Sequence, residues 1–517
     1  MADATAPAAT PAVPSHEAPH RGTITLLVML ASIMQALDNT IANVALPRIQ
    51  GSLSTTQDQM TWVLTSYIVA AAIMTPLSGW LAGRFGRKRV FLVSIFGFTI
   101  ASALCGISQT LPEIVLARLM QGLCGAALIP MSQAVLLDIN PRERHAKAMG
   151  IWVMGVTIGP ILGPALGGWL TENYSWRWVF FINVPFGVLC VLGITAFMPE
   201  TVQRKSRFDF FGFAALSMAI GALQLMLDRG QTNDWFNSPE IIIEGTIAAL
   251  AAYLFVVHML TTTEAPFVSP ALFKDRNFLT GNFFIFVVGV VLFATLALLP
   301  PLLQGLLDYP VVLTGLVTAP RGVGTLVAMV VVGKLIGRVD ARAIIAMGFA
   351  ITAASLWQMT HFYLQMDDSA VIWSGLAQGF GTGFVYVPLA AITFATLSPT
   401  LRNEGTAVFS LVRNIGSSIG ISAVTTLLTR NTQTMHARLA EHITPYGNAF
   451  APSVTQALGS TRGLAGLDGL VSRQAAMIAY NNDFKLMMVL TLCAVPLVVL
   501  LRKAGAPSKD AEPVVME

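Results

Sequence analysis

Charge is scarce in this chain. Asp, Glu, Lys and Arg make up 11% of its 517 residues, against about 25% in soluble domains. A chain this long has too little polar surface to coat a globule in water, and its mean hydropathy of +0.67 makes lipid its solvent. The net charge of +4 is small and dispersed, so no nucleic-acid-binding face is implied. Cysteine is scarce too. Cys105, Cys124, Cys190 and Cys493 sit far apart in apolar runs, with no CxxC or Cys/His cluster. Neither a disulfide framework nor a metal site follows, and the four read as small apolar packers. The chain has no GxxxxGK[ST] loop, no HExxH and no clustered His. This argues against an enzyme, and against ATP as an energy source within the chain.

Long apolar runs are abundant. A spanning helix needs about 20 mostly apolar residues, and fourteen runs qualify: 24–46, 61–82, 90–109, 113–137, 148–170, 178–198, 210–228, 240–260, 278–303, 311–336, 343–361, 370–396, 404–429 and 484–502. The chain reads as an all-α integral membrane protein. Residues 1–22, rich in Ala and Pro, read as a disordered tail, without the basic lead of a cleavable signal. Most linkers are short, but 430–483 is long and too polar to span.

Lys and Arg in the linkers orient the runs, since positive charge stays on the cytoplasmic side. With the N-terminus inside, the inner segments hold Arg21; Arg84, Arg87, Lys88 and Arg89; Arg142, Arg144 and Lys147; Arg204, Lys205 and Arg207; Lys274 and Arg276; Lys334, Arg338 and Arg342; Arg402; and Arg502, Lys503 and Lys509. The outer segments hold fewer: Arg48, Arg177, Arg229, Arg430, Arg438, Arg462, Arg473 and Lys485. Most of these lie in or beside 430–483, and long loops obey the rule weakly. The bias places both termini in the cytoplasm and 430–483 outside.

The chain repeats itself. Gly79-Trp-Leu-Ala-Gly83-Arg84 is similar to Gly333-Lys-Leu-Ile-Gly337-Arg338, 254 residues on. Gln121-Gly122 returns as Gln378-Gly379, and Gly159-x-x-x-Gly163 as Gly416-x-x-x-Gly420, both after 257 residues. Three matches in order at nearly one offset imply two six-helix halves with the seventh and eighth helices inserted between them. Paired repeats around a midplane site are the plan of secondary transporters.

Several polar residues stand where lipid would penalise them. Asp38 lies inside the first run, and a carboxylate facing lipid costs about 2.5–3.5 kcal/mol on insertion scales. It is expected to face the bundle interior, as a proton carrier or as a buried hydrogen-bonding group. Arg118 lies inside the fourth run. Asp38 is 8 residues from the outer end of its run, about 12 Å, and Arg118 is 5, about 8 Å. Similar depth permits a pair whose making and breaking could couple protonation to conformation. Gly155, Gly159, Pro160, Gly163, Pro164 and Gly167 combine four-residue glycine spacing with two prolines, which suits either a bent, smooth helix sliding between the halves or static close packing. Arg413 is a further intramembrane charge, and could serve an anionic substrate, lock helices or share in coupling. By position, Gln35, Asn39, Asn43 and Gln121 could line a cavity with it.

These motifs resemble the major facilitator superfamily, specifically its fourteen-helix drug:proton antiporters of the EmrB/QacA type. Leu37 to Pro47 is similar to that family's helix 1 signature, Gly79 to Arg89 to its loop 2–3 motif, Arg118 to Pro130 to its helix 4 motif, Gly155 to Gly168 to its helix 5 antiporter motif, and Trp176 to Gly187 to its sixth-helix start. The resemblance covers nearly all of the chain from residue 25. It implies the major facilitator fold, export of hydrophobic or amphipathic compounds against proton entry with no cofactor, and a role for Arg118 in proton transfer. It makes Gly79, Gly83, Arg84, Gly86 and Arg87 a conformational latch, although Gly83 stands where the family usually has Asp.

The stretch Arg473 to Tyr480 is similar to the EmrB branch, which implies a bacterial inner-membrane pump working with a periplasmic EmrA-like adaptor and a TolC-like outer-membrane channel. The expected organisation is a cytoplasmic tail 1–22, an N-terminal bundle 23–200, inserted helices 201–265, a C-terminal bundle 266–503 including a periplasmic loop 430–483, and a tail 504–517. The alternatives are a dedicated exporter of one metabolite, fatty acid or siderophore and, more distantly, a non-transporting receptor.

Overall fold

A computed structural model describes residues 20–55, 57–141, 144–200, 207–262, 266–336, 338–398, 401–443 and 461–501. The tails expected at 1–22 and 504–517, the segment 444–460, and Arg142, Arg204, Lys205, Gly337, Arg502, Lys503 and Lys509 lie wholly or largely outside the described residues.

Each apolar run is a helix. In chain order they are α1 (Arg21–Leu53), α2 (Gln57–Phe85), α3 (Arg87–Ile107), α4 (Leu111–Ile139), α5 (His145–Asn173), α6 (Trp178–Phe197), α7 (Phe210–Arg229), α8 (Pro239–Thr261), α9 (Arg276–Leu306), α10 (Val312–Leu335), α11 (Ala341–Met359), α12 (Asp368–Ala395), α13 (Arg402–Glu441) and α14 (Thr461–Leu500). Thirteen of them are long and apolar enough to cross a membrane. The run expected at 148–170 lies in the other, α5, a helix of 29 residues.

The packing repeats as the sequence does. α1 packs on α5 as α9 packs on α13, and α2 on α4 as α10 on α12. α3 packs on α4 and α6 as α11 packs on α12 and α14. Small residues set these contacts. A Cβ at Gly122 would collide with the Tyr67 carbonyl oxygen, and one at Gly379 with the Arg321 carbonyl oxygen, so one close approach is built twice. The halves meet where α2 touches α13 and α10 touches α5.

The inserted pair lies at the periphery. α7 and α8 pack on each other, and α7 leans on α2. The most apolar stretch of α8 is 17% buried, against 72% for α12, so lipid covers most of α8. Asp209 ties the pair together at the start of α7, where its carboxylate accepts from the backbone N–H of Gly212 (2.8 Å) and Phe267 (2.9 Å) and pairs with His258 of α8 (2.9 Å). Burial pushes this carboxyl up, but those backbone donors and His258 outweigh it and hold Asp209 below the ordinary aspartate range.

The segment 430–483 differs from the open loop expected. α13 continues to Glu441 and α14 begins at Thr461. A helix of 40 residues rises about 60 Å, twice the ~30 Å hydrocarbon thickness, so α13 must project from the bilayer. Polarity decides what leaves lipid; it does not prevent a helix.

Candidate functional site

Asp38 is fully buried in α1, where the carboxylate accepts three hydrogen bonds. Arg118 Nη1 of α4 donates to Oδ2 at 2.6 Å, and Oδ1 accepts from Gln121 Nε2 at 2.8 Å and from Asn183 Nδ2 of α6 at 2.9 Å. Arg118, itself 1% exposed, also donates to Gln121 Oε1 (2.7 Å) and to the Val63 carbonyl (3.2 Å). Its guanidinium lies 4.3 Å from the Tyr67 ring centroid. Ser102 of α3 receives Gln121 Nε2 (2.6 Å) and Asn183 Nδ2 (3.3 Å).

This geometry satisfies a buried ion pair, which would otherwise cost several kcal/mol per ion. An ionised carboxylate only accepts, and Asp38 faces only donors. A proton on Asp38 would introduce a donor among donors, so the network would have to rearrange. Asp38, Arg118 and Gln121 are thus brought together. Sequence reasoning assigns nothing to Ser102 or Tyr67, and quotes Asn183 only within a motif. The available signal is a polar side chain inside an apolar run.

A second polar cluster crosses the seam between halves. Tyr386 of α12 is reached by Arg413 Nη1 of α13 at 3.3 Å and by Gln133 Nε2 of α4 at 3.5 Å. Trp152 of α5 stacks near Tyr386, with centroids 6.4 Å apart, and donates to Ser32 of α1 at 3.1 Å. Gln35 Oε1 is buried without a partner among the described residues. Arg413 belongs to this cluster rather than to the Asp38 site. The side chains of Asn39, Asn43, Pro160 and Pro164 lie outside the described residues.

The third element is a cluster of ion pairs at the end of the bundle that carries the α2–α3 turn. Gly86 turns the chain there with φ 86°, a left-handed conformation that favours glycine. Arg87 pairs with Asp138 at the end of α4 and donates to Asn403 of α13. Arg402 reaches the same Asp138 at 3.3 Å. Gly79 lets α2 lie against the Asn403 backbone, where a Cβ would come within 3.1 Å. One carboxylate therefore holds an arginine from each half. Gly83 has nothing within 4 Å of where its Cβ would stand, and Arg84 is half-buried.

The glycine row of α5 departs from the first of its two expected roles. Cβ atoms at Gly155, Gly159, Gly163 and Gly167 would meet Met29, Leu37, Thr40 and Ile41 of α1, which is in the same half. Four-residue spacing puts the row on one face, and α1 occupies that face. The seam contacts come from another side of α5, where Gly150 lies near Val387 of α12. The row packs a pair inside the N-terminal half.

Residues 28–421 match the Major Facilitator Superfamily. The chain belongs to that superfamily. It is therefore a multi-pass membrane transporter and not an enzyme. It is 38% identical over 468 residues to the multidrug export protein EmrB of Escherichia coli strain K12, covering 89% of this chain and 91% of that protein. It is 36% identical to the fatty acid resistance protein FarB of Neisseria gonorrhoeae, covering 93% and 96%. Among solved structures, the human organic anion transporter MFSD10 (TETRAN) shares the fold with TM-score 0.60 and 14% identity, covering 92% of this chain and all (100%) of that one.

Proposed function

We propose that this chain is a proton-coupled antiporter that exports hydrophobic and amphipathic compounds by alternating access, in keeping with its likeness to the multidrug exporter EmrB. The observation that carries the reading is the buried Asp38 held by Arg118, Gln121 and Asn183. A proton that enters this site neutralises the carboxylate through which Arg118 and Gln121 of α4 hold α1 at this depth. The same helices contribute Ser32 and Gln133 to the seam cluster. The protonation site and the seam cluster thus share helices. The Asp138 latch closes one end of the seam while this happens, and Gln35, Gln133, Tyr386 and Arg413 line the path of the substrate.

The positive-inside bias supports a bacterial inner-membrane orientation with both termini cytoplasmic, and puts the latch on the cytoplasmic side. The projecting ends of α13 and α14 then lie in the periplasm, available to an EmrA-like adaptor that leads to a TolC-like channel.

The experiment is dye efflux in inverted vesicles carrying this protein alone, with an imposed pH gradient and no ATP. Gradient-dependent movement that disappears in Asp38→Asn is the expected result. Equal movement in parent and variant would remove Asp38 from the mechanism. Failure of a dye panel, repeated with the adaptor present, would favour a dedicated exporter.

A further inference from the structure

The repeat places a charge in the C-terminal half that nothing among the described residues balances. Arg321 of α10 is 5% exposed, and both terminal nitrogens, Nη1 and Nη2, are buried without a hydrogen-bond partner. Its counterpart 254 residues earlier is Tyr67, the residue stacked on Arg118. The two positions are equivalent in space as well, since their carbonyls receive Gly379 and Gly122. The rest of the N-terminal network has counterparts after 257 residues. Gln121 becomes Gln378, Arg118 becomes Gly375 and Asp38 becomes Thr295. Gln378 Nε2 donates to Thr295 Oγ1 at 3.1 Å, as Gln121 donates to Asp38.

The C-terminal half thus keeps the glutamine and a guanidinium, moved from α4's equivalent to α10, but has a hydroxyl in place of the carboxylate. A buried cation left unpaired costs several kcal/mol, so its retention needs a partner. α10 is also the helix that meets α5 across the seam, and the seam is what parts when the halves rock.

We propose that Arg321 is an anion-recognition residue for cargo. It pairs with the carboxylate of an amphipathic compound. A guanidinium fork matches a carboxylate with two parallel hydrogen bonds and is more weakly hydrated than an ammonium, which suits a site that desolvates on closure. The inference rests on the export reading and narrows it to monoanionic amphiphiles as favoured cargo.

The test uses the full chain in vesicles of neutral lipid with an imposed pH gradient. Three fluorescent probes are compared: a long-chain carboxylic acid, its methyl ester and a cationic dye. The parent is expected to prefer acid over ester. Arg321→Gln is expected to lower that preference about tenfold or more, the fold-change of a lost hydrogen bond to a charged group. Arg321→Lys, which keeps the charge and loses the fork, should retain part of it. An unchanged acid-over-ester preference in Arg321→Gln would overturn the proposal, as would an equal fall for all three probes in a folded variant. If Arg321→Gln does not fold, an unchanged preference in Arg321→Lys overturns it. If instead the parent needs anionic lipid and only that need is lost in the variant, the partner is a lipid phosphate and the cargo assignment is wrong. Should the parent move none of the probes, even with the adaptor present, the broad export reading fails. Acid binding in detergent, followed by tryptophan fluorescence, then decides on Arg321 alone: weaker binding in Arg321→Gln supports it, equal binding sinks it.

Discussion

Arg118 donates to Asp38 across 2.6 Å, and both side chains are cut off from solvent. Each needs the other in this conformation, because removing one partner of a buried pair leaves an uncompensated charge, at about 3–5 kcal/mol. The pair also ties α1 to α4.

Asp38→Asn keeps the shape, and its amide oxygen can still accept from Gln121 and Asn183, but it removes the proton-binding group. It should abolish gradient-driven efflux while the protein remains folded in detergent. Both changes strand a buried charge, but in Asp38→Asn the guanidinium keeps Gln121 Oε1 and the Val63 carbonyl as acceptors. Arg118→Ala leaves Asp38 without its cation and opens a cavity, so it should destabilise the fold more, by about 3–5 kcal/mol. Thermal unfolding of the two variants side by side checks the contrast.

Asp138 holds Arg87 and Arg402 together and is only partly buried, at 33% side-chain exposure. Asp138→Asn should weaken the latch by about 1–2 kcal/mol, a factor of roughly 5–30 in its opening equilibrium. Hydrogen exchange in the α2–α3 turn and at the start of α13 should rise accordingly. Unchanged exchange would show that the carboxylate does not hold that end shut.

Close approach of helices makes a steric prediction. Gly379→Ala would drive a Cβ into the Arg321 carbonyl and should cost about 1–3 kcal/mol by overpacking. At Gly375, one turn away, an added methyl would meet nothing nearer than the Arg321 Cβ at 3.8 Å, so Gly375→Ala should be close to neutral. Thermal stability of both in one detergent separates a tight helix contact from a loose one.

Asp209 contributes a pH dependence to the inserted pair. Its carboxyl is held below the ordinary aspartate range in the fold, so it contributes stability above that range. The contribution is lost as pH falls through the lowered folded value. Asp209→Asn should therefore flatten the acid limb of the stability–pH curve below about pH 4. An unaltered limb would mean that His258 and the backbone donors give no net preference for the ionised form.

Membrane class, the apolar runs that become helices and the interior placement of Asp38 and Arg118 were determined by sequence alone. The physical reason is that lipid penalises charge so heavily that apolar run length and misplaced charges carry most of the message. Partners across helices were not determined in this way. Sequence depth allowed Asp38 and Arg118 to meet, but only packing showed that Gln121, Asn183 and Ser102 complete the site. The α5 glycine row was legible as a smooth face, yet the structure alone assigned that face to α1. Spacing fixes which residues share a face and says nothing about which helix covers it. Asp138 taking two arginines, and Arg321 finding no partner among the described residues, are likewise decided by residues far apart in the chain, brought together only when the helices pack.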